Sequence, residues 1–502
     1  MTETAPAGGP STDPLDTGAA GPAAVRGGAL RVGGYLAGMG LGVIASAFLF
    51  HHLGVNRSGQ YGQAIALAAI AGGLSDLGLT AVGTRELSVL SGEARDRLAQ
   101  SLLGLRLILS VVGAIAITVF AAAVGYSSTL VLGVAFGGVG LVFQSCQSTL
   151  SVSMLRDLRV GWVAAFDLAR VFLTAVLIVS LVATGAGLLP FLAAPIPVGV
   201  VILAMNAWVV RGRVPLLPAF HAEEWRRVIR AVLPYSAAVA ASTLYFYIAV
   251  PVVGLAADAG QVGYFTASAR TVQVLTAVPG LLVGTALPIF ARAARDDRAR
   301  LSYAIGRVFE VSLILGVWVA LTLAIAATLA IEVLGGTHFA PAATPLAIQA
   351  VGLGFSFVNA VWATALLSLE RYRAILTISL FALFGGTALI AVLAVGSGAR
   401  GAAIGTAVDE AVVAVITATA LVRADRSLTP PLRVVPAVAL GAGAAALTTL
   451  ISMPVLASVV VASVVYLTIL LVLRAIPEEV LEHLPVRLRG QNGGMDRDGG
   501  GH

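Results

Sequence analysis

Residues 53–87 read LGVNRSGQYGQAIALAAIAGGLSDLGLTAVGTREL. From Tyr61 to Thr84 this stretch holds a single charged side chain, Asp76. A helix rises about 1.5 Å per residue and the hydrocarbon core of a bilayer is about 30 Å thick, so about 20 mostly apolar residues make one crossing. The stretch is therefore one transmembrane helix, entered through the loop around Arg57 and left at Arg85 and Glu86. Similar stretches recur along nearly the whole chain. Of its 502 residues, 58% are hydrophobic and 11% charged, and its mean hydropathy is +0.95. A soluble domain carries about 25% charged residues, so water is excluded as the main solvent. The expected class is an all-α integral membrane protein.

Fourteen crossings are expected. The first six lie at 30–53, 61–84, 102–124, 129–153, 161–183 and 188–210. A polar segment, Arg211 to Arg227, follows, and the next six lie at 229–256, 262–290, 309–334, 343–368, 374–396 and 400–422. Two more, 434–452 and 455–474, complete the set. With the N-terminus inside, 26 arginines fall in inner segments and only Arg57 and Arg400 in outer ones. Cytoplasmic loops of membrane proteins gather positive charge, so both termini are expected in the cytoplasm of a multi-pass cell-membrane protein. The same topology accounts for the net charge of +6 without nucleic acid as a partner. The one cysteine, Cys146, excludes an internal disulfide and reads as a small buried apolar residue. The N-terminal segment lacks the apolar core of a signal peptide.

The pattern of the quoted stretch returns 201 residues later. Gly59-Gln60-x-Gly62 recurs as Gly260-Gln261-x-Gly263, and Val82-Gly83-Thr84 as Val283-Gly284-Thr285. Ala66, Ala68 and Leu74 match Ala267, Ala269 and Leu275 without a gap. The two copies fall in the second and eighth helices, an even number of crossings apart, and so share one orientation. That implies two six-helix lobes related by an axis along the membrane normal, a transporter architecture. The expected organisation is a disordered cytoplasmic tail over 1–28, an N-lobe over 29–210, a cytoplasmic linker over 211–228 and a C-lobe over 229–423. Extra helices follow over 424–475, then a cytoplasmic tail over 476–502. Gly34, Gly38 and Gly42 read as a small-residue ridge for close helix packing. Pro195, Pro197, Pro251, Pro279 and Pro288 each remove a backbone donor within a crossing and are expected to bend it.

A charge in hydrocarbon is costly, so it marks a cavity or a paired group. Arg270 lies in the eighth helix, and its neighbours one turn away, Thr266, Ala267, Gln273 and Val274, include no acid. It needs an acid on another helix, a water-filled cavity or an anionic substrate, and guanidinium binds phosphate bidentately. Arg170 stands three residues from Asp167, which fits either an ion pair or a substrate ligand facing a cavity. Arg106, near the inner end of the third helix, reads as a snorkelling residue or a further substrate ligand. Asp409, Glu410 and Asp76 are candidates to bind a coupling cation or proton, or to pair with an arginine. His51 and His52 read as solvated interfacial residues. There is no metal-ligand spacing and no Walker-type phosphate loop, so neither metal, cofactor nor an ATPase of the chain's own is expected.

Three stretches carry a family resemblance. Residues 53–87 resemble a short Gly-x-Tyr-Gly outer loop followed by a helix with Ser-Asp-x-Gly and a closing Arg-Glu. The second is GTHFAPAATPL, Gly336 to Leu346, followed by LLSLERYR, Leu366 to Arg373. The third is GSGARGAAIGTAVDE, Gly396 to Glu410. In this order they are similar to the Wzx-type oligosaccharide flippases of the multidrug/oligosaccharidyl-lipid/polysaccharide exporter superfamily. The resemblance implies two lobes around a cationic cavity that takes the pyrophosphate of a polyprenyl-linked sugar, with Arg270 in that cavity. It implies a lipid-linked oligosaccharide substrate, with polysaccharide polymerase or glycosyltransferases as partners, and no catalytic residues. Relatives that flip the peptidoglycan precursor carry Arg within the first helix, and this chain has none there after Arg31. The alternatives are a cation-coupled exporter of drugs or small solutes and a polyprenyl-dependent glycosyltransferase or polymerase. The last is disfavoured by short outer loops, among which His51 to Gln60 holds no acid.

Overall fold

A computed structural model describes residues 20–476 apart from 91, 157–159, 213–214 and 285. Thr285 of the repeat, residues 1–19 and the C-terminal tail from 477 lie outside the described residues. The chain is helical throughout, with no strand among the described residues. Its helices are α1 (Ala20–Asp76), α2 (Leu79–Val89), α3 (Gly92–Ala123), α4 (Ser128–Arg156), α5 (Val160–Ala183), α6 (Leu188–Ala193) and α7 (Pro195–Val210). Next come α8 (Ala222–Tyr247), α9 (Ala249–Ala256), α10 (Ala259–Leu275), α11 (Ala277–Gly284), α12 (Leu287–Asp296), α13 (Arg298–Ile325) and α14 (Ala327–Gly335). The last are α15 (Ala343–Ser368), α16 (Tyr372–Phe381), α17 (Thr387–Ala424), α18 (Val435–Leu447) and α19 (Val455–Val472). Residues 20–28, expected as tail, belong to α1.

Among the described residues, 11 helices are long and apolar enough to cross a membrane, or 12 if the bent pair Val239–Tyr247 and Ala249–Ala256 is one span. Two of these lose helical geometry where the sequence expects a loop between two crossings. The helix over Ala37–Asp76 loses helical geometry at Gly54, and that over Tyr372–Ala424 at Ser397 and Gly398. Both breaks coincide with loops expected from the sequence. Gly54 and Gly398 have φ of 69° and 55°, a region that only glycine enters freely.

Proline places most of the other breaks. A proline cannot donate to the carbonyl four residues earlier, and its ring clashes with it. Helix α6 ends at Ala193, α8 at Tyr247, α10 at Leu275 and α11 at Gly284. These are the residues four before Pro197, Pro251, Pro279 and Pro288. The sixth, seventh and eighth crossings, expected as single helices, are therefore segmented. The second is interrupted too: Leu77 and Gly78 take φ of 44° and 74°. The hydroxyl of Ser236 donates to the Leu77 carbonyl at 2.6 Å, supplying a partner where the helix cannot.

The chain divides into two compact units that do not follow the expected lobes. One contains Met1–Val274, Thr328–Leu346 and Leu376–Asp409; the other contains Leu275–Ala327, Ala347–Ile375 and Glu410–His502. The two copies of the repeat meet through a backbone contact inside the first unit. A Cβ on Gly59 would stand 2.8 Å from the Gly263 nitrogen. One on Gly62 would overlap the Thr266 side chain, and one on Gly263 the Val55 carbonyl. The motif glycines thus let α1 and α10 touch, and residues up to Val274 join the first half of the chain. Gln261 of the same motif accepts from the Ala399 N–H at 2.9 Å, tying α10 to the start of the helical segment after Gly398. The ridge at Gly34, Gly38 and Gly42 does not pack this way. Gly34 and Gly42 have nothing within 4 Å, and Gly38 meets only Leu168 and Val171 of α5 at 3.9 and 4.0 Å.

The first unit is centred on buried Leu49, Leu53, Leu67, Val134 and Phe191. In the second unit, α18 and α19 are fastened to α13. Fully buried Tyr466 donates to the Ile314 carbonyl at 3.0 Å, and Trp318 to the Ser463 hydroxyl at 3.1 Å. Buried Glu310 accepts from Arg307 at 2.8 Å and from Arg433 at 3.5 Å.

Gly62→Val forces two methyl groups into the Thr266 side chain. Overpacking of this kind costs about 1–3 kcal/mol. Thermal unfolding of the purified protein in detergent should show a lowered midpoint for this variant. Gly34→Val, which meets open space, should leave it unchanged.

Candidate functional site

The candidate site is built around Arg270, five residues before the end of α10. Its side chain is exposed, whereas Phe265 to Ser268 just before it are buried. Its Nε donates to the Ser46 hydroxyl of α1 at 3.3 Å. Ser46 in turn donates to the Gly42 carbonyl at 2.7 Å, so its oxygen is left to accept. The Arg270 charge also acts through space on the phenols of Tyr61 and Tyr247. Tyr61 lies in the part of α1 after the Gly54 break, and Tyr247 is the last residue of α8, where Pro251 ends it. The guanidinium, from the second half of the chain, thus meets a hydroxyl of the first half. Among the described residues no carboxylate lies within 4.0 Å of it. Among the described residues, the only close polar partner of this cation within a crossing is a neutral hydroxyl.

The other expected residues fare differently. Arg106 is 3% exposed and forms an ion pair with Asp76. It also donates to Thr80 at 2.8 Å and to Thr149 at 3.4 Å, and Thr80 donates to Asp76 at 2.7 Å. This closed network joins α1, α2, α3 and α4. Asp76 thus meets Arg106 rather than Arg270 or Arg170, and both members are already satisfied. Arg170 pairs with Asp167 at 3.2 Å, the Asp side chain being more than half exposed. These two stand as a local pair on α5.

Asp409 of α17 is buried and receives a hydrogen bond from Tyr245 of α8. It lies against Gly386, where a Cβ would collide with its carboxylate. Gly386 closes a π-helical turn, Ala382–Gly386, a feature often found where function distorts a helix. The sequence signalled the acid but not the turn that receives it. Glu410 is half-buried and belongs to the other compact unit. Among the described residues no group of three or more His, Cys, Asp or Glu is placed to hold a metal ion.

One contributor went unread in the sequence. Ser46 is uncharged, and only its contact with Arg270 singles it out. The buried acid Glu310 could have been read as a partner of Arg307, one turn before it.

A family model described as polysaccharide biosynthesis protein matches residues 53–344. No curated protein matches the chain. Among solved structures, a lipid II flippase, MurJ, in an inward closed conformation superposes with a TM-score of 0.72 at 14% identity, covering 91% of this chain and 100% of that one. An inward-facing multidrug resistance MATE family transporter of the MOP superfamily gives 0.61 at 16% identity, covering 78% of this chain and 95% of that one. A MOP superfamily transporter from Pyrococcus furiosus gives 0.51 at 18% identity, covering 79% and 95%. These likenesses establish the fold.

Removing one member of a buried ion pair leaves an uncompensated charge, at a cost of about 3–5 kcal/mol. Asp76→Ala is expected near the lower end, because a third of the Asp76 side chain is open. Its unfolding midpoint should fall well below that of the Arg106→Leu/Asp76→Ala double variant. Additive losses in such a cycle would mean that the pair is not coupled.

Proposed function

This chain belongs to the polysaccharide biosynthesis protein family, and we propose that it is a flippase for polyprenyl-pyrophosphate-linked oligosaccharide. In this reading it moves the substrate from the inner to the outer leaflet of the cytoplasmic membrane by alternating access. The observation that carries the reading is Arg270: a cation within a crossing that donates to one hydroxyl and has no carboxylate within 4.0 Å among the described residues. An ion carried into hydrocarbon without a partner is costly. A pyrophosphate that enters this site meets the charge it lacks, while its prenyl chain stays among lipid chains. The protein binds and moves this substrate and makes or breaks no bond in it. Glycosyltransferases and a polymerase act before and after it.

Asp409 is the candidate for the coupling cation or proton, being an acid within a helix held by a tyrosine rather than by an arginine. Asp76 is committed to Arg106 and drops behind it. A cation-coupled exporter of drugs would also use such an acid. Cationic drugs, however, would be repelled by Arg270, so the anionic substrate is the better fit. Transport of cationic dyes by the protein would favour the exporter.

Deletion of the gene should cause a polyprenyl-linked glycan to accumulate on the cytoplasmic side. Arg270→Ala should reproduce that accumulation at normal membrane abundance, with Arg270→Lys retaining part of the flux. Full transport in Arg270→Ala would remove the site from the mechanism. In this topology both termini face the cytoplasm. A fluorescent protein fused after His502 should glow, and a secreted phosphatase fused there should stay inactive.

A further inference from the structure

The chain leaves α7 at Val210 and enters α8 at Ala222. The sequence predicts a polar cytoplasmic linker here, yet its middle reads Pro215-Leu216-Leu217-Pro218-Ala219-Phe220. This stretch is fastened to α3. The Ala219 N–H donates to the Gln100 carbonyl at 3.0 Å, and the Trp225 indole to the Ser101 carbonyl at 2.9 Å. A Cβ on Gly104 would overlap the Ala219 carbonyl, and Phe220 meets the Trp225 ring edge-on at 5.9 Å. These contacts fix its depth. The charges that open α3 end at Arg97 and the apolar run begins at Leu102, so Gln100 to Gly104 mark where head groups give way to hydrocarbon. Held at that level, Leu217 and Phe220 are 76% and 59% exposed. Trp208, also exposed, stands one turn before Arg211, as aromatic side chains do at a membrane surface. Arg226, Arg227 and Arg230 follow in the first turns of α8, all exposed. Arg230 stands three and four residues from the other two, so the three share a face. None of them has an ion-pair or side-chain hydrogen-bond partner among the described residues. Residues 211–230 hold five arginines against two acids, Glu223 and Glu224.

We infer that residues 216–230 are a docking surface for anionic phospholipid of the cytoplasmic leaflet. Leu217 and Phe220 enter the boundary between head groups and acyl chains, and Arg226, Arg227 and Arg230 bind lipid phosphate. Apolar side chains at that boundary beside a row of cations are the two features that hold a surface-lying segment on an anionic membrane. A cytosolic protein would have to reach down among the head groups to cover Leu217 and Phe220, whereas lipid is already there. The inference rests on the crossings and the topology proposed above and is independent of the substrate.

The test uses the full-length protein in bilayer nanodiscs. In a Cys146→Ser background, Leu217→Cys or Phe220→Cys carries a small fluorophore. The quenchers are phosphatidylglycerol or phosphatidylcholine with a nitroxide near the head of one acyl chain, and iodide in the water. Both labelled positions should be quenched by the lipids and shielded from iodide. At equal mole fraction the phosphatidylglycerol should quench more strongly. The triple variant Arg226→Gln/Arg227→Gln/Arg230→Gln should remove that difference, each arginine accounting for about a fivefold preference for anionic lipid. High salt should shrink it in the protein that keeps its arginines. Quenching is read on monodisperse, folded protein, so loss of stability does not imitate the result. Free quenching by iodide with none from either lipid would put both positions in water, as for a face that awaits a cytosolic protein, and would overturn the inference. Equal quenching by the two lipids would leave the arginines no part in it and overturn anionic docking.

Discussion

Hydrocarbon supplies no hydrogen bonds, and nearly every polar feature of this protein follows from that constraint. Where a helix breaks or a charge is buried, a partner is found inside the protein. Ser236 serves the Leu77 carbonyl, Gln261 the Ala399 N–H, and Asp76 with two threonines the Arg106 guanidinium. Glu310 is bracketed by Arg307 and Arg433. Against this background Arg270 stands apart: among the described residues no carboxylate lies within 4.0 Å of it, and its guanidinium meets the Ser46 hydroxyl.

Two residue types decide where Arg270 sits. Prolines cut crossings into segments, each ending four residues earlier, and so put Tyr247 at the end of α8 and Arg270 near the end of α10. Glycines act in the opposite sense, removing the Cβ atoms that would hold α1 and α10 apart. Together they set α10 against α1, where Arg270 reaches the Ser46 hydroxyl.

The crossings and their loops were legible because hydropathy over about 20 residues is a local quantity. The repeat was legible too, and its glycines and glutamine proved to be contact residues. The isolation of Arg270 from acids on its own helix was visible in the spacing; its isolation from acids on every other described element was not. Asp76 and Arg106 read as independent candidates, since nothing in a sequence reports that two helices bring them into one ion pair. The ridge of Gly34, Gly38 and Gly42 had the spacing of a packing face but lacks a close neighbour at two of its three positions. Small residues permit close approach without causing it.

By itself the sequence determined that the chain is built of apolar helices fit for a membrane, that one stretch of it returns 201 residues later, and that a few charges lie within the helices. These follow from composition, periodicity and repetition along the chain. Tertiary structure alone decided which charges are satisfied and that the Ser46 hydroxyl meets Arg270. Pairing depends on distances between segments as far apart as residues 46 and 270, and such distances are set only when the helices pack.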